Sequence, residues 1–208
     1  MRLNLTSRFR APHVPLPLFV RITLILCLAS VAACGSKGAN TPRPKSVVTQ
    51  TLPVEQLYLL EAGGIPPADT SVIFKTGQPR TVIMRHPAPD NGVFAELVFP
   101  ADMFENKGPD DSVTVKATVR PGLYGLDISS TVETDKTGIV RFKYPVHFSA
   151  PQGALAKYGS AIRYEQVLQI GRQTEDGRYA LYVSTRRASD NLEAPMLLPG
   201  RFVVGAPR

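Results

Sequence analysis

The 208-residue chain contains no tryptophan, only two cysteines and three histidines, and no apolar stretch approaching the roughly 20 residues of a membrane-spanning helix. Each shortage excludes something. The cysteines are Cys27 and Cys34, so everything after residue 34 lacks a thiol pair, a disulfide framework and a cysteine metal cluster. Beyond that point the histidines are His86 and His147. A histidine triad or zinc site therefore needs one of them beside partners that the sequence does not flag. G-x-S-x-G, H-E-x-x-H, G-x-x-x-x-G-K, G-x-G-x-x-G, S-x-x-K and the D-x-D-x-D-G calcium spacing are all missing. No cofactor and no metal is implied. Nor is there a basic cluster longer than Arg186-Arg187, which argues against a nucleic-acid partner.

What is present begins at the N-terminus. Arg2, Arg8, Arg10 and Arg21 form a basic leader, Ile22 to Ala33 is a twelve-residue largely apolar run, and Val31-Ala32-Ala33 places small residues before Cys34. A helix of that length rises only about 18 Å against a hydrocarbon core of about 30 Å, and Pro12, Pro15 and Pro17 interrupt any regular upstream extension. The order is that of a secretory signal. Val31, Ala32, Ala33 and Cys34 resemble the lipobox of bacterial lipoproteins, with valine in place of the commoner leucine. The resemblance implies cleavage between Ala33 and Cys34, a diacylglycerol thioether on Cys34, and a membrane partner held through that covalent lipid. Gly35 follows where Gram-negative lipoproteins retained in the inner membrane usually carry aspartate, which points to the outer membrane in a cell that has one. A plain secretory signal with a chance cysteine is the alternative.

Removing residues 1–33 takes four basic and no acidic side chains with it, leaving 20 basic and 17 acidic, a net charge of +3. The precursor's pI near 9.6 thus mainly reflects export. Residues 34–51 comprise the lipidated cysteine and a polar Gly-, Pro- and Ser-containing segment that reads as a flexible tether.

Residues 52–208 read as one all-β domain, a single antiparallel β-sandwich of about nine short strands. In Ser112–Val119 the valines and Ala117 alternate with Ser, Thr and Lys, as a half-buried strand requires. Residues 71–75, 81–85, 92–99, 123–129, 139–144, 163–170, 178–185 and 200–204 follow similar patterns, separated by KTGQPR, TDKTG and TEDGR turns. Val54 to Glu61 reads as two helical turns or a first strand, and Pro100 to Glu105 as a short turn of helix. The nineteen prolines and sixteen glycines favour turns over long helices.

The run GVFAELVFPADMF at 92–104 is similar to the strand and "P-A-G-x-L" element that opens the β-sandwich shared by zonula occludens proteins, netrin receptors and ankyrins. Asp102 stands where that element has glycine. The strand at 112–119, VHFSAP at 146–151 and the hairpin around TEDGRY follow in similar order. The likeness implies an interaction and scaffold module, with no catalytic residues to transfer.

Function is therefore expected to be binding or scaffolding in the cell envelope, not enzymatic, with an envelope protein or glycan as partner. The alternatives are an envelope hydrolase collecting His86 or His147 with carboxylates in a pocket, a carbohydrate-binding accessory protein, and a subunit that docks through a sheet edge. A sugar platform requires several exposed, coplanar tyrosines on one sheet. Of Tyr58, Tyr124, Tyr144, Tyr158, Tyr164, Tyr179 and Tyr182, Tyr124 with Leu126 and Ile128, and Tyr179 with Leu181 and Val183, read as core faces, and Tyr182, on the opposite face of its strand, is the first candidate for exposure. Asp110-Asp111, Asp135 and Glu175-Asp176 read as turn carboxylates facing water.

Overall fold

The computed structural model describes residues 46–104, 106–144, 148–186, 188 and 190–208. The signal segment, Ala33, Cys34 and His147 lie outside them. The strands are β1 (Val48–Leu52), β2 (Leu57–Leu59), β3 (Glu61–Ala62), β4 (Thr70–Lys75), β5 (Arg80–Arg85), β6 (Val93–Phe99), β7 (Ser112–Val119), β8 (Gly125–Ser130), β9 (Gly138–Lys143), β10 (Phe148–Ser149), β11 (Gln169–Gln173), β12 (Tyr179–Tyr182), β13 (Asn191–Met196) and β14 (Gly200–Pro207). Two short helices, α1 (Gln152–Tyr158) and α2 (Ala161–Gln166), precede β11. The fold is all-β, built from two antiparallel sheets layered as a sandwich, as the alternating segments require.

The larger sheet runs β1-β12-β11-β14-β8-β7-β4 and the smaller β13-β9-β6-β5, while β3 and β10 form a separate ribbon. β2 extends the line of β8, pairing with the second half of β14 as β8 pairs with the first. Between the sheets, Phe94, Leu97, Phe142, Leu192 and Met196 of the smaller sheet pack with Val113, Val115, Leu126, Phe202 and Val204 of the larger in one buried cluster. Phe94 stacks on Tyr124 with ring centroids 5.1 Å apart and meets Phe142 edge-on at 5.9 Å. Burying one such ring contributes on the order of 2–3 kcal/mol, so this aromatic layer is a principal adhesive between the sheets.

Several expectations change. The segment 163–170 is not one strand: α2 ends at Gln166 and β11 begins only at Gln169. The Ser160 hydroxyl accepts the Arg163 N–H and caps α2, while Gly159, at φ 77°, ends α1 in the left-handed conformation. The sheet begins at Val48, inside the stretch read as tether, because β1 pairs with β12. Val54 to Glu61 resolves into a single 3-10 turn, Val54–Gln56, followed by β2. Residues 101–104 form a turn that seats Met103 and Phe104 in the core.

Tyr182 is buried, not exposed. With Ala180 it shares the strand parity that faces the main core, and Tyr182 belongs to that core cluster. Tyr179 and Leu181 point the other way, into a second small cluster with Leu57 and Val203. Gly171 makes room for them, since a Cβ there would lie 2.9 Å from Leu181 Cδ2 and 3.3 Å from Tyr179 Cβ.

Candidate functional site

Alternation along β7 and β8 sends their polar residues to the outer face of the larger sheet. There Lys116 lies opposite Ser129, and Thr118 opposite Asp127, which in turn faces Arg201 on β14. Loops bearing Glu133, Thr134 and Glu175 join Arg172 and Gln173 of β11 around this row. The result is an open groove of about 740 Å³ with charges of both signs along its floor and walls.

Its electrostatics centre on Asp127. The Nε atoms of Arg120 and Arg201 each stand 4.0 Å from its carboxylate, and the side chains are 33–64 % exposed. At that exposure each pair contributes between nothing and about 1 kcal/mol, so ligand groups can displace them at little cost. Arg201 Nη1 donates to Gln173 Oε1 at 3.3 Å, and Arg172 Nη2 donates to the Pro199 carbonyl at 3.0 Å. Arg172 is thereby held by a neutral acceptor, while Arg201 is shared between Gln173 and the Asp127 carboxylate. Among the described residues, the groove's lining has no histidine or cysteine. The groups it presents are hydrogen-bond donors, acceptors and charges of both signs.

No protein family, characterised protein or solved structure matches this chain.

His86 sits elsewhere, 4 % exposed on the edge of a cavity of about 50 Å³. Its ring meets Phe94 edge-on at 5.5 Å, and Nδ1 lies 3.2 Å from the Ile65 carbonyl. Among the described residues Arg120 is the charged side chain that lines that cavity, beside Phe94, Val119 and Leu123. His86 is thus built into the packing between strand end and loop. Among the described residues, no group of three or more His, Cys, Asp or Glu side chains is arranged to hold a metal ion.

The tyrosines do not form a platform. Tyr124, Tyr144, Tyr164, Tyr179 and Tyr182 are buried, and Tyr58 and Tyr158 are half-buried. Tyr164 donates to the Tyr58 carbonyl at 2.9 Å and Tyr158 to the Pro207 carbonyl at 2.6 Å. The first hydroxyl ties α2 to β2, and the second ties α1 to the end of β14. Burial pushes the Tyr164 hydroxyl well above the usual tyrosine range.

The turn carboxylates behave as local structure makers. Asp111 Oδ2 accepts the Gly108 N–H and Asp135 Oδ2 the Asn106 N–H, each at 3.0 Å. Hydrogen bonds from the Thr174 hydroxyl and the Arg178 N–H hold the Asp176 carboxyl below its usual range. Sequence reading did not single out Arg172 or Arg201. Arg201 was legible as a polar position in the 200–204 strand, whereas Arg172 depended on β11, whose true start the alternation did not reveal.

Proposed function

We propose that this is a lipid-anchored protein of a bacterial cell envelope whose β-sandwich works by binding or scaffolding, without catalysis. The observation that carries the reading is Val31-Ala32-Ala33-Cys34 at the end of a charge-free run behind four arginines. One acyl chain alone binds membranes marginally, at about 0.8 kcal/mol per buried methylene, so a diacylated Cys34 supplies durable anchoring. Residues 35–47 separate Cys34 from β1, and as a coil they would span about 20 Å. No helix among the described residues is long and apolar enough to cross a membrane. Within this reading the outer membrane is the destination, and the charged groove on the larger sheet receives an envelope protein or glycan. The likeness of residues 92–104 to the zonula occludens, netrin-receptor and ankyrin module supports the scaffold role.

The decisive variant is Cys34→Ala. It is expected to release the protein from membranes or leave an unprocessed precursor, and to abolish incorporation of an alkyne-tagged fatty acid. Unchanged fractionation and labelling would refute the anchor.

A further inference from the structure

Among the described residues four strands end the two sheets along their order, and three of them are guarded; β2, paired only with β14, is a fifth edge, guarded by its length of three residues. β1 has an irregular register between Val48 and Gln50. β5 has one between Met84 and Arg85, and exposed arginines at both ends, Arg80 and Arg85. β13 contains Pro195, and its outer side exchanges two backbone hydrogen bonds between Glu193 and Thr185, at 3.1 and 2.9 Å. Bulges, charges, prolines and covering segments are the usual means by which a sheet edge resists pairing.

β4 carries one such charge, Lys75 at its end, and among the described residues it has no bulge, proline or covering strand. Its six residues pair with β7 in unbroken register, and no strand among the described residues pairs with its other side. The Thr76 N–H donates to the Asp111 carbonyl, which fixes the parity of the ladder: Thr70, Val72 and Phe74 turn their backbone groups toward β7. Ser71, Ile73 and Lys75 turn theirs outward. The side chains of these three are exposed too, Ile73 by 70 %. The Lys75 carbonyl accepts the Gln78 N–H at 3.1 Å, so the strand offers the backbone groups of Ser71 and Ile73 and the Lys75 N–H beside a solvent-facing isoleucine.

We propose that β4 is a self-association edge, through which two copies of this chain pair antiparallel about a two-fold axis at Val72. The sequence around β4 is complementary to itself in that register. Ser71 lies opposite Ile73 of the second copy, and Lys75, whose Nζ donates to the Asp110 carbonyl of its own chain, lies opposite Asp69, an exposed carboxylate whose oxygens accept the Thr118 hydroxyl and the Val119 N–H of β7. Shifting the axis to Ile73 would set Lys75 against Ser71 and lose both ion pairs. Two larger sheets then become one continuous sheet across the dimer. The isologous contact closes on itself, so the open edge is consumed without propagating a fibre.

The test combines proximity and assembly state in the full chain. Val72→Cys is expected to form a disulfide-linked dimer under mild oxidation, because residues facing each other in a non-hydrogen-bonded pair lie about 4.5 Å apart. Ile73→Cys is expected not to, since its two copies lie beyond the about 7 Å reach of a disulfide. Sedimentation equilibrium should show the unmodified chain reaching dimer between micromolar and millimolar concentration. Lys75→Glu should weaken the dimer roughly tenfold by turning two attractions into repulsions. Ile73→Pro removes only an outward N–H, so it should give a monomer with unchanged circular dichroism. An unmodified chain that stays monomeric throughout, crosslinking through Ile73→Cys but not Val72→Cys, or a dimer that survives Ile73→Pro would each overturn the proposal. So would a monomer whose β4 captures a strand of another protein.

Discussion

Replacing Arg141 with methionine is expected to destabilise the domain by about 3 kcal/mol, the lower end of what breaking a buried ion pair costs. Arg141 stands in the middle strand of a row on the outer face of the smaller sheet, directly opposite Glu96 on one side and Glu193 on the other. Its Nη1 pairs with Glu96 Oε2, and its Nη2 lies 3.2 Å from Glu193 Oε2. The three side chains are 15 %, 14 % and 1 % exposed, so water does not screen them as it screens the groove around Asp127. Lys143 Nζ, 3.4 Å from Glu96 Oε1, continues to neutralise that carboxylate, which is why the lower end applies. Methionine keeps the apolar bulk of the stem and removes the charge. For a domain of this size the melting midpoint should fall by about 6–12 °C. Because the chain has no tryptophan, unfolding is best followed by far-ultraviolet circular dichroism in urea. A double-mutant cycle with Glu96→Gln should return a coupling of about 1–3 kcal/mol. A loss under about 1 kcal/mol with no coupling would place the row among ordinary surface pairs and refute the reasoning.

Two further variants probe packing and ionisation. A Cβ at Gly138 would lie 2.5 Å from the Val98 carbonyl oxygen and 2.9 Å from Met103 Sδ, so Gly138→Ala should cost about 1–3 kcal/mol in urea denaturation; a neutral result would mean that β9 can move away from β6. Burial raises the ionisation of Tyr164, Tyr158 and Tyr144 above the usual tyrosine range. The unfolded chain releases these protons near pH 10 while the folded chain keeps them, so stability should fall as pH rises past about 10. Tyr164→Phe should flatten that fall, and midpoints that do not change between about pH 9 and 11 would contradict it.

Legibility followed the chemistry of each strand. Ser112–Val119 was readable to the residue because one face meets the core and the other meets water. β13 was not read at all, since all six of its residues are buried and no alternation survives. β1 escaped for the opposite reason: VTQTL is mostly polar, and its place is fixed by pairing with β12, not by its own pattern. The β12 faces were exchanged because Tyr179 through Tyr182 are buried on both sides of the sheet, and period-two reading cannot choose between two apolar faces. The helices left readable punctuation in Gly159 and Ser160, outweighed by the alternating pattern of 163–170 that followed. Of the candidate site, the polar positions of β7 and β8 were visible, whereas their assembly into a groove required the non-local pairing of β8 with β14.

Strand order also relates the anchor to the open edge. The chain enters the larger sheet at β1, and β4 closes the opposite side, with β12, β11, β14, β8 and β7 between them. Six inter-strand spacings of about 4.8 Å separate the two edges by about 29 Å. If Cys34 is held in a bilayer, the tether pulls on the edge farthest from the one that pairs, so anchoring and self-association do not compete for the same surface. Confinement to a membrane would also raise the effective concentration of neighbouring copies, which is what a contact as small as one strand edge requires to be populated. On this reasoning the fraction of Val72→Cys crosslinked in membranes should exceed that of the same chain carrying Cys34→Ala at equal copy number. Equal fractions would separate the two proposals, leaving the edge contact to stand without help from the anchor.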